Sequence, residues 1–344
     1  MDNKTPILIK KVPPTARAKH HKAVKPEGTL LYPESAEREY SSIALKHVRL
    51  YGEVLKDNLP EILNILRETR EDSADYHADS RILNFSERFS KTIRKMEKEL
   101  SEKLEDFQTD VFIKKVAKRA NTNNARQWIK LVKKTFGVDL DGHYYNRGTW
   151  ADLIDRWTEQ NVGFVRSLPQ ESLSSMRRIV EDGYFEGWGI TKIRNEIVRE
   201  FGLSKSKAKA LAVDQMGTLC SQITRKQQTD AGCTHYRWKS RKDSKVRESH
   251  RQYNGKIFSW DDPPPSWYMT KSRGKVFTGR MCHPGEDYCC RCMAIPVFDK
   301  ETLNLPVDES GERRIRSETA NEQSQGIPQT SLRKTDGTSR RGRR

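Results

Sequence analysis

The chain has 344 residues, of which 34% are hydrophobic and 32% are charged, and its formal net charge is +17. This low apolar fraction argues against one large compact core and favours a helical body beside a small compact domain. No run of about 18 apolar residues occurs, so we expect no membrane-spanning helix and no membrane partner. The apolar run at residues 7–9 is too short for a secretory signal, so we expect the protein to be made and used in a cytoplasm.

The positive charge favours a polyanionic partner such as a nucleic acid, or an acidic protein surface. A soluble basic protein without any nucleic-acid role is the alternative. Residues 1–34 and 301–344 are predicted to be disordered basic tails, because they are poor in apolar residues and the first is broken by prolines. The candidate DNA contacts are the basic residues near the two ends, namely Lys10, Lys11, Arg340, Arg341, Arg343 and Arg344.

Between the tails, apolar residues recur at helical spacing, which predicts long helices over residues 37–70 and 83–120. Pro60 is expected either to kink the first helix or to start another. Each helix has a narrow apolar stripe, so the two form either an intramolecular hairpin or an arm that docks on a partner. The polar run 121–124 is expected to end the second helix. Shorter helices are predicted over 125–136, from 149, over 162–182 and from 204. Between the last two, a short helix is predicted that Thr191 caps and that residues 201–202 end.

The spacing of apolar residues changes after Gly232. Residues 234–239, 256–260 and 293–298 are predicted to be strands of a small antiparallel sheet, the third at an edge because of Pro296. Residues 263–265 and 271–280 are predicted to be surface loops. The sequence therefore predicts an α+β fold, in which a mainly helical N-terminal region (35–165) precedes a small C-terminal domain (166–300) with a short antiparallel sheet and long loops.

Cysteine and histidine residues cluster within residues 236–298. His250, His283, Cys290 and Cys292 could supply two imidazoles and two thiolates, a set that suits a tetrahedral zinc ion as cofactor. The alternative is that Cys290 and Cys292 are small apolar core residues. Cys220 and Cys233 stand apart from the cluster and are predicted to be buried.

A catalytic interpretation is also open, because Asp243, Arg247 and His250 lie close together in a polar loop. An Asp–His pair can act as a general base, and a histidine with a metal could cleave phosphodiesters. The remaining parts of a nuclease motif are missing. The sequence favours a hydrogen-bonded loop, with Asp243 paired to Arg247 and His250 packed on Trp238 or Tyr253.

The order of these residues resembles the C-terminal domain of phage head morphogenesis proteins, the Mu F-like minor capsid proteins. The shared elements are an aromatic strand, a D-x-x-x-R-x-x-H segment, an N-G turn, an H-P element and a closing C-R-C. The residues that carry the resemblance are Trp238, Asp243, Arg247, His250, Asn254, Gly255, Phe258, His283, Pro284, Gly285, Cys290, Arg291 and Cys292. The resemblance covers about residues 173–298, where Cys282 and Cys289 are additional to the family pattern.

The resemblance implies a non-enzymatic minor head protein of the virion, in the capsid interior near the portal, assembled in the host cytoplasm. It implies portal protein and phage DNA as partners, with scaffold or major capsid protein as further candidates. Two other functions stay open: a metal-dependent nuclease or toxin that uses the same C-terminal domain, and a free nucleic-acid-binding protein.

Overall fold

Five long helices and two small antiparallel sheets dominate the described part of the chain. A computed structural model describes residues 23–71, 78–140, 145, 148–241, 243–299 and 302–305. The predicted α+β class is confirmed. The helices are α1 (Glu34–Glu71), α2 (Ala78–Glu105), α3 (Thr109–Phe136), α4 (Thr149–Phe185), α5 (Ile190–Asp230) and a short α6 (Glu248–Tyr253).

The strands are β1 (Ala23–Val24), β2 (His235–Lys239), β3 (Ile257–Ser259), β4 (Pro265–Thr270), β5 (Gly274–Met281) and β6 (Met293–Asp299). The first sheet has the order β1-β6-β2-β3, and β4 and β5 form a separate hairpin. The three predicted strands are confirmed as β2, β3 and β6. The prediction of a loop over 271–280 is wrong, because most of this segment is β5 and its turn.

Pro296 lies in β6, which has β2 on one side and β1 on the other. The two residues of β1 pair only with Phe298 and Asp299, so β6 has a single neighbouring strand at Pro296. A proline has no backbone N–H to donate, and this position requires none on the open side. The predicted edge is therefore a local property of Pro296 and not of the whole strand.

The predicted break at residues 121–124 is wrong, because α3 runs through them without interruption. Asn121 and Asn124 are both buried, and the Asn124 amide donates a hydrogen bond to the Thr224 hydroxyl at 3.2 Å. Tertiary hydrogen bonds thus satisfy side chains that would otherwise compete with the helical backbone. The helix actually breaks earlier, between α2 and α3, at residues 106–108.

Two other predicted interruptions also lie inside single helices. Pro60 is within α1, at an exposed position where water can solvate the carbonyl group that loses its helical partner. Pro169 is within α4. The boundary predicted at residue 165 falls inside α4 as well, so the chain has no structural break between the helical region and the C-terminal region there.

The first of two large hydrophobic clusters joins the helical body to the first sheet. It combines residues of α1, α3, α4 and α5 with Met293, Ile295 and Phe298 of β6. The second cluster packs α2 against α1, α4 and α5. In α2 the predicted apolar stripe is buried, from Phe85 to Leu104, which confirms the intramolecular hairpin with α1.

Parts of both predicted tails are packed on this body. β1 pairs with β6, and Leu30 is buried in the first cluster. Leu303 and Leu305 join the same cluster. The prediction of disorder is therefore wrong for residues 23–34 and 302–305, because their few apolar side chains pack into the first cluster. Residues 1–22 and 306–344 lie outside the described residues.

None of the described helices combines the length and the apolar character that a bilayer-spanning segment needs.

His47 of α1 is fully buried and holds the α2–α3 corner. Its Nδ1 lies 2.9 Å from the carbonyl oxygen of Ile43, and its Nε2 lies 2.9 Å from the hydroxyl of Thr109. Its ring packs edge-on against Phe107 at 4.7 Å. Burial lowers the pKa of His47 below its usual value of 6.5.

We predict that His47 makes the protein less stable in mild acid. Because the pKa of His47 is lower in the folded state, its contribution is complete above the unfolded pKa of about 6.5 and is lost as the pH falls through the folded pKa. The slope is at most about 1.4 kcal/mol per pH unit. Urea unfolding between about pH 7 and about pH 5 should therefore show a smaller loss of stability in His47→Gln than in the wild type.

The matched control is His235→Gln, because His235 is exposed on β2. This variant should keep the pH dependence of the wild type. An unchanged slope in His47→Gln would contradict the assignment.

Candidate functional site

The scaffold of the site is the pair of strands β2 and β3, joined through α6 and a glycine turn. Gly255 has a positive φ of 85°, a conformation that favours glycine, and its N–H donates to the carbonyl of Trp238 at 2.8 Å. The side-chain oxygen of Asn254 accepts a hydrogen bond from the N–H of Ser240 at 3.0 Å. The N-G element of the sequence therefore turns the chain from α6 back along β2.

His250 lies on α6 and faces two thiols. Its Nδ1 is 3.6 Å from Cys290 Sγ and also 3.6 Å from Cys292 Sγ. All three side chains are buried, and their ligand atoms lie within 4.8 Å of one another. The imidazole packs on the Trp238 indole at 5.1 Å between ring centroids, which confirms the predicted contact.

Asp287 is the carboxylate that the sequence analysis did not identify. It is only 5% exposed. Its Oδ2 lies 3.3 Å from His250 Nε2 and accepts a hydrogen bond from the Ser266 hydroxyl at 2.7 Å. Its Oδ1 accepts from the N–H of Tyr288 at 2.9 Å and lies 3.7 Å from the guanidinium of Arg280. One carboxylate thus connects α6, β4, β5 and the segment that leads to the cysteines.

The electrostatics of the group follow from these contacts. Burial by itself would lower the pKa of His250, but the Asp287 carboxylate and the Cys290 thiol raise it to about 9. Burial would raise the pKa of Asp287, but its hydrogen bonds from His250 and Ser266 hold it well below its usual range. The hydrogen bond between the two thiols raises the pKa of Cys290 and lowers that of Cys292. These contacts favour an imidazolium–carboxylate pair of His250 and Asp287 and make Cys292 the more acidic of the two thiols.

His283 is separate from this group, which corrects the four-ligand metal set predicted from the sequence. Its Nδ1 lies 3.0 Å from the hydroxyl of Tyr236, and its ring packs on Trp260 at 4.9 Å. The backbone N–H of His283 donates to the carboxylate of Glu286 at 2.9 Å. The following Pro284 is also buried. Tyr236 and Trp238 lie two residues apart on β2, so His283 packs on the same face of the strand as His250 but beside a different aromatic ring.

Asp243 and Arg247 do not pair with each other, so this predicted contact is wrong. The Asp243 carboxylate pairs with the guanidinium of Arg241 at 3.1 Å. Arg247 donates to the carbonyl of Tyr288 at 2.5 Å and lies 3.9 Å from Asp287. The sequence suggested Asp243 as the carboxylate beside His250, whereas His250 pairs with Asp287, which is nearly 40 residues farther along the chain.

Arg291 ties the site to the helical body. Its Nε and Nη2 donate to the two carboxylate oxygens of Glu37 on α1, at 2.9 and 2.8 Å. This is the bidentate geometry in which a guanidinium binds a carboxylate best. The middle residue of the C-R-C element thus points away from the two thiols and joins segments 254 residues apart in the sequence.

Helix α5 approaches the segment 285–292, here called the cysteine segment, at a pair of glycines. A Cβ added to Gly217 would lie 2.5 Å from the carbonyl oxygen of Cys290, and one added to Gly285 would lie 2.6 Å from the carbonyl oxygen of Gly217. Beside this contact Cys289 adopts a positive φ of 51°, and its N–H donates to the Asp214 carboxylate at 2.9 Å. The site is therefore built directly on the backbone of α5.

The motif residues thus have three different structural roles. Trp238, His250, Cys290 and Cys292 form one group, Gly255 shapes its scaffold, and Arg291 binds the helical body. The sequence analysis missed Asp287, Glu37 and Gly217, because nothing in their local spacing marks them as partners of residues so far away. The candidate DNA contacts Lys10, Lys11, Arg340, Arg341, Arg343 and Arg344 lie outside the described residues.

Comparison with known proteins bears directly on this arrangement. Residues 174–295 match the family described as Phage Mu protein F like protein. This part of the chain is therefore similar to the Mu F-like family. The match nearly coincides with the range 173–298 predicted from the motif order, and it contains every residue of the His250 group. The resemblance inferred from the sequence is therefore confirmed.

Two curated proteins show the same relationship more distantly. An uncharacterized protein of Haemophilus influenzae is 26% identical over 205 residues, which is 58% of this chain and 42% of that protein. Minor head protein GP7 of Bacillus phage SPP1 is 25% identical over 167 residues, 44% of this chain and 51% of that protein. The matched regions cover about half or less of either relative. No solved structure matches this chain.

We predict that Gly217→Ala destabilises the protein by about 1 to 3 kcal/mol, because the new methyl group meets backbone that cannot rotate away. Gly202→Ala is the matched control, since Gly202 lies in the same helix with nothing within 4 Å of its added Cβ. This control should raise stability by up to about 1 kcal/mol, the difference in helix propensity between the two residues. Urea unfolding measures both, and equal effects would contradict the close approach.

Proposed function

We propose that this chain is a minor head protein that acts in phage head morphogenesis and binds portal protein and DNA inside the procapsid. The observation that carries the proposal is the match of residues 174–295 to the Mu F-like family. The similarity to a protein named Minor head protein GP7 supports it. A location in the virion, near the portal, follows from the same proposal.

The construction of the site supports a structural role for the motif residues. His250, Cys290, Cys292 and Asp287 are buried, and their contacts hold α6, the β4–β5 hairpin and the cysteine segment together. A substrate of polymer size cannot reach a group enclosed in this way. We therefore place the contacts with partners on exposed surfaces and favour a protein without catalytic activity over a nuclease.

The β4–β5 hairpin is an exposed surface suited to DNA. Lys271, Arg273 and Lys275 are exposed, and residues 265–281 contain no acidic residue. The Lys275 ammonium lies over the rings of Trp267 and Phe277, at 4.3 and 4.7 Å from their centroids, and Phe277 is 56% exposed. Cations beside exposed aromatic rings can bind phosphates and stack on bases. We infer that the hairpin contributes to DNA binding together with the basic ends of the chain.

The function can be tested on phage particles. Procapsids of the phage that encodes this chain, purified and analysed by mass spectrometry, should contain it in far fewer copies than the major capsid protein. Co-expressed portal protein should co-purify with it in high salt after nuclease treatment, conditions that remove bridging DNA and weaken exposed charge pairs. Absence from procapsids would refute the proposal. Loss of the complex after nuclease treatment would refute direct portal binding and favour a free nucleic-acid-binding protein.

DNA binding can be tested by fluorescence anisotropy with a labelled duplex over a range of salt concentrations. We expect Lys271→Gln/Arg273→Gln/Lys275→Gln to weaken binding and to reduce the salt dependence, by about 0.9 in the logarithmic slope for each DNA phosphate that the variant no longer neutralises. Deletion of residues 333–344 should weaken binding further. Unchanged affinity in either variant would remove that segment from the DNA-binding surface.

The matched control removes three positive charges from α2. Lys95, Lys98 and Lys103 each pair with a glutamate, at 3.3, 3.8 and 3.4 Å respectively. The triple substitution of these lysines by glutamine changes the net charge as much as the hairpin variant does. It should leave the salt dependence near that of the wild type. An equal reduction would indicate an effect of overall charge instead of a local surface.

A further inference from the structure

His250, Cys290 and Cys292 are arranged as ligands of one metal ion. The Nδ1 of His250 is 3.6 Å from each sulfur. Zinc binds sulfur at about 2.3 Å and nitrogen at about 2.0 to 2.1 Å, and a tetrahedral angle between two such bonds separates the nitrogen from the sulfur by about 3.6 Å. The imidazole nitrogen is therefore already at the distance from each sulfur that a common tetrahedral ion requires, and all three ligand atoms lie within 4.8 Å of one another.

The outer contacts of the group are also those of a metal site. The ring nitrogen of His250 that faces away from the sulfurs lies 3.3 Å from the Asp287 carboxylate. In zinc proteins this second contact orients the imidazole and increases its basicity. The sulfur of Cys290 accepts hydrogen bonds at 3.4 Å from the N–H groups of Gly285 and of Cys292. Such donors stabilise a thiolate.

A small cavity adjoins the three ligands. Its volume is about 40 Å³, and it is lined by His250, Cys289, Cys290 and Cys292 together with Arg247 and neighbouring loop residues. A cavity needs about 10 to 15 Å³ of water-accessible volume to hold one water molecule, so this one has room for an ion with a few water molecules. This size favours a metal site over a thiol–imidazole pair that attacks a large substrate.

We propose that His250, Cys290 and Cys292 bind a zinc ion, with Asp287 as the hydrogen-bond partner of His250 and the fourth coordination position open to this cavity. The ligand set replaces the one expected from the sequence, since His283 is absent from it. The proposal is independent of the proposed head function, and either can fail without the other.

A bound metal ion would stabilise the structure around these ligands. A third hydrophobic cluster lies on β2 around Tyr236 and Trp238. It has only six buried residues, two of which are Cys290 and Cys292. Small domains with little core commonly depend on a metal for part of their folding free energy. A zinc ion would link α6 to the cysteine segment directly, at the place where the long connection from β5 returns to the sheet.

The full-length protein, purified from zinc-supplemented cells and analysed for metals, should contain about one zinc per chain. After removal of the metal, titration with cobalt should give the absorption bands of tetrahedral cobalt bound to thiolates. This measurement needs no variant, so it stands even if substituted proteins fail to fold. A wild-type protein that binds neither zinc nor cobalt would overturn the proposal.

The variants assign the ligands. Cys290→Ser and Cys292→Ser should lose the cobalt–thiolate absorption or most of it, whereas Cys289→Ser, in the adjacent residue, should keep the full metal content and spectrum. His283→Gln should also keep them. Asp287→Asn should still bind one metal at saturation but with an affinity reduced by about 10- to 100-fold.

Two results would count against this ligand set. Retention of the metal in a Cys290→Ser/Cys292→Ser double variant would place the metal elsewhere. Loss of the metal in Cys289→Ser would mean that the wrong thiol has been assigned. A metal-free wild type with Cys292 rapidly alkylated by iodoacetamide would identify the group as a thiolate–imidazolium pair instead.

Discussion

The C-terminal region depends on the contacts that the buried carboxylate of Asp287 makes. This carboxylate is almost completely buried, and its partners come from α6, β4, β5 and the backbone beside the cysteines. A buried charge that loses one partner typically costs about 3 to 5 kcal/mol, so the segments around Asp287 are held in one arrangement. The position of His250 relative to the two thiols is a consequence of this arrangement.

Two further contacts connect this region to the helical body. The bidentate pair of Arg291 with Glu37 fixes the cysteine segment to α1, and the close approach of Gly217 and Gly285 fixes it to α5. The first hydrophobic cluster continues from the long helices into β6. The order of motifs in the sequence therefore describes a part of one continuous structure and not a domain that stands apart from the helices.

This construction separates two kinds of residue. Those that carry the family resemblance are mostly buried and hold segments of the chain together. The exposed basic and aromatic residues of the β4–β5 hairpin lie outside the resemblance motifs and are available to a partner. Substitutions on such a surface leave the buried contacts undisturbed, because the effects of substitutions add for sites that share no partner.

Local patterns in the sequence determined much of this protein. The period of apolar residues located the stripe of α2, alternation located β2, and short apolar runs located β3 and β6, because these signals depend only on neighbours along the chain. The motif order identified the family. The polar run in α3 misled the prediction of a helix end, since tertiary hydrogen bonds decide whether such residues interrupt a helix.

Only the tertiary structure decided which charged and metal-ligating groups meet. Asp287 rather than Asp243 pairs with His250, Glu37 rather than a nearby acid pairs with Arg291, and His283 lies against Tyr236 instead of the thiols. Electrostatic and coordination contacts depend on distance in space, and the sequence specifies distance only for residues a few positions apart. The sequence therefore supplied the candidate residues, and the packing of α5 and α6 against the sheet selected the partners.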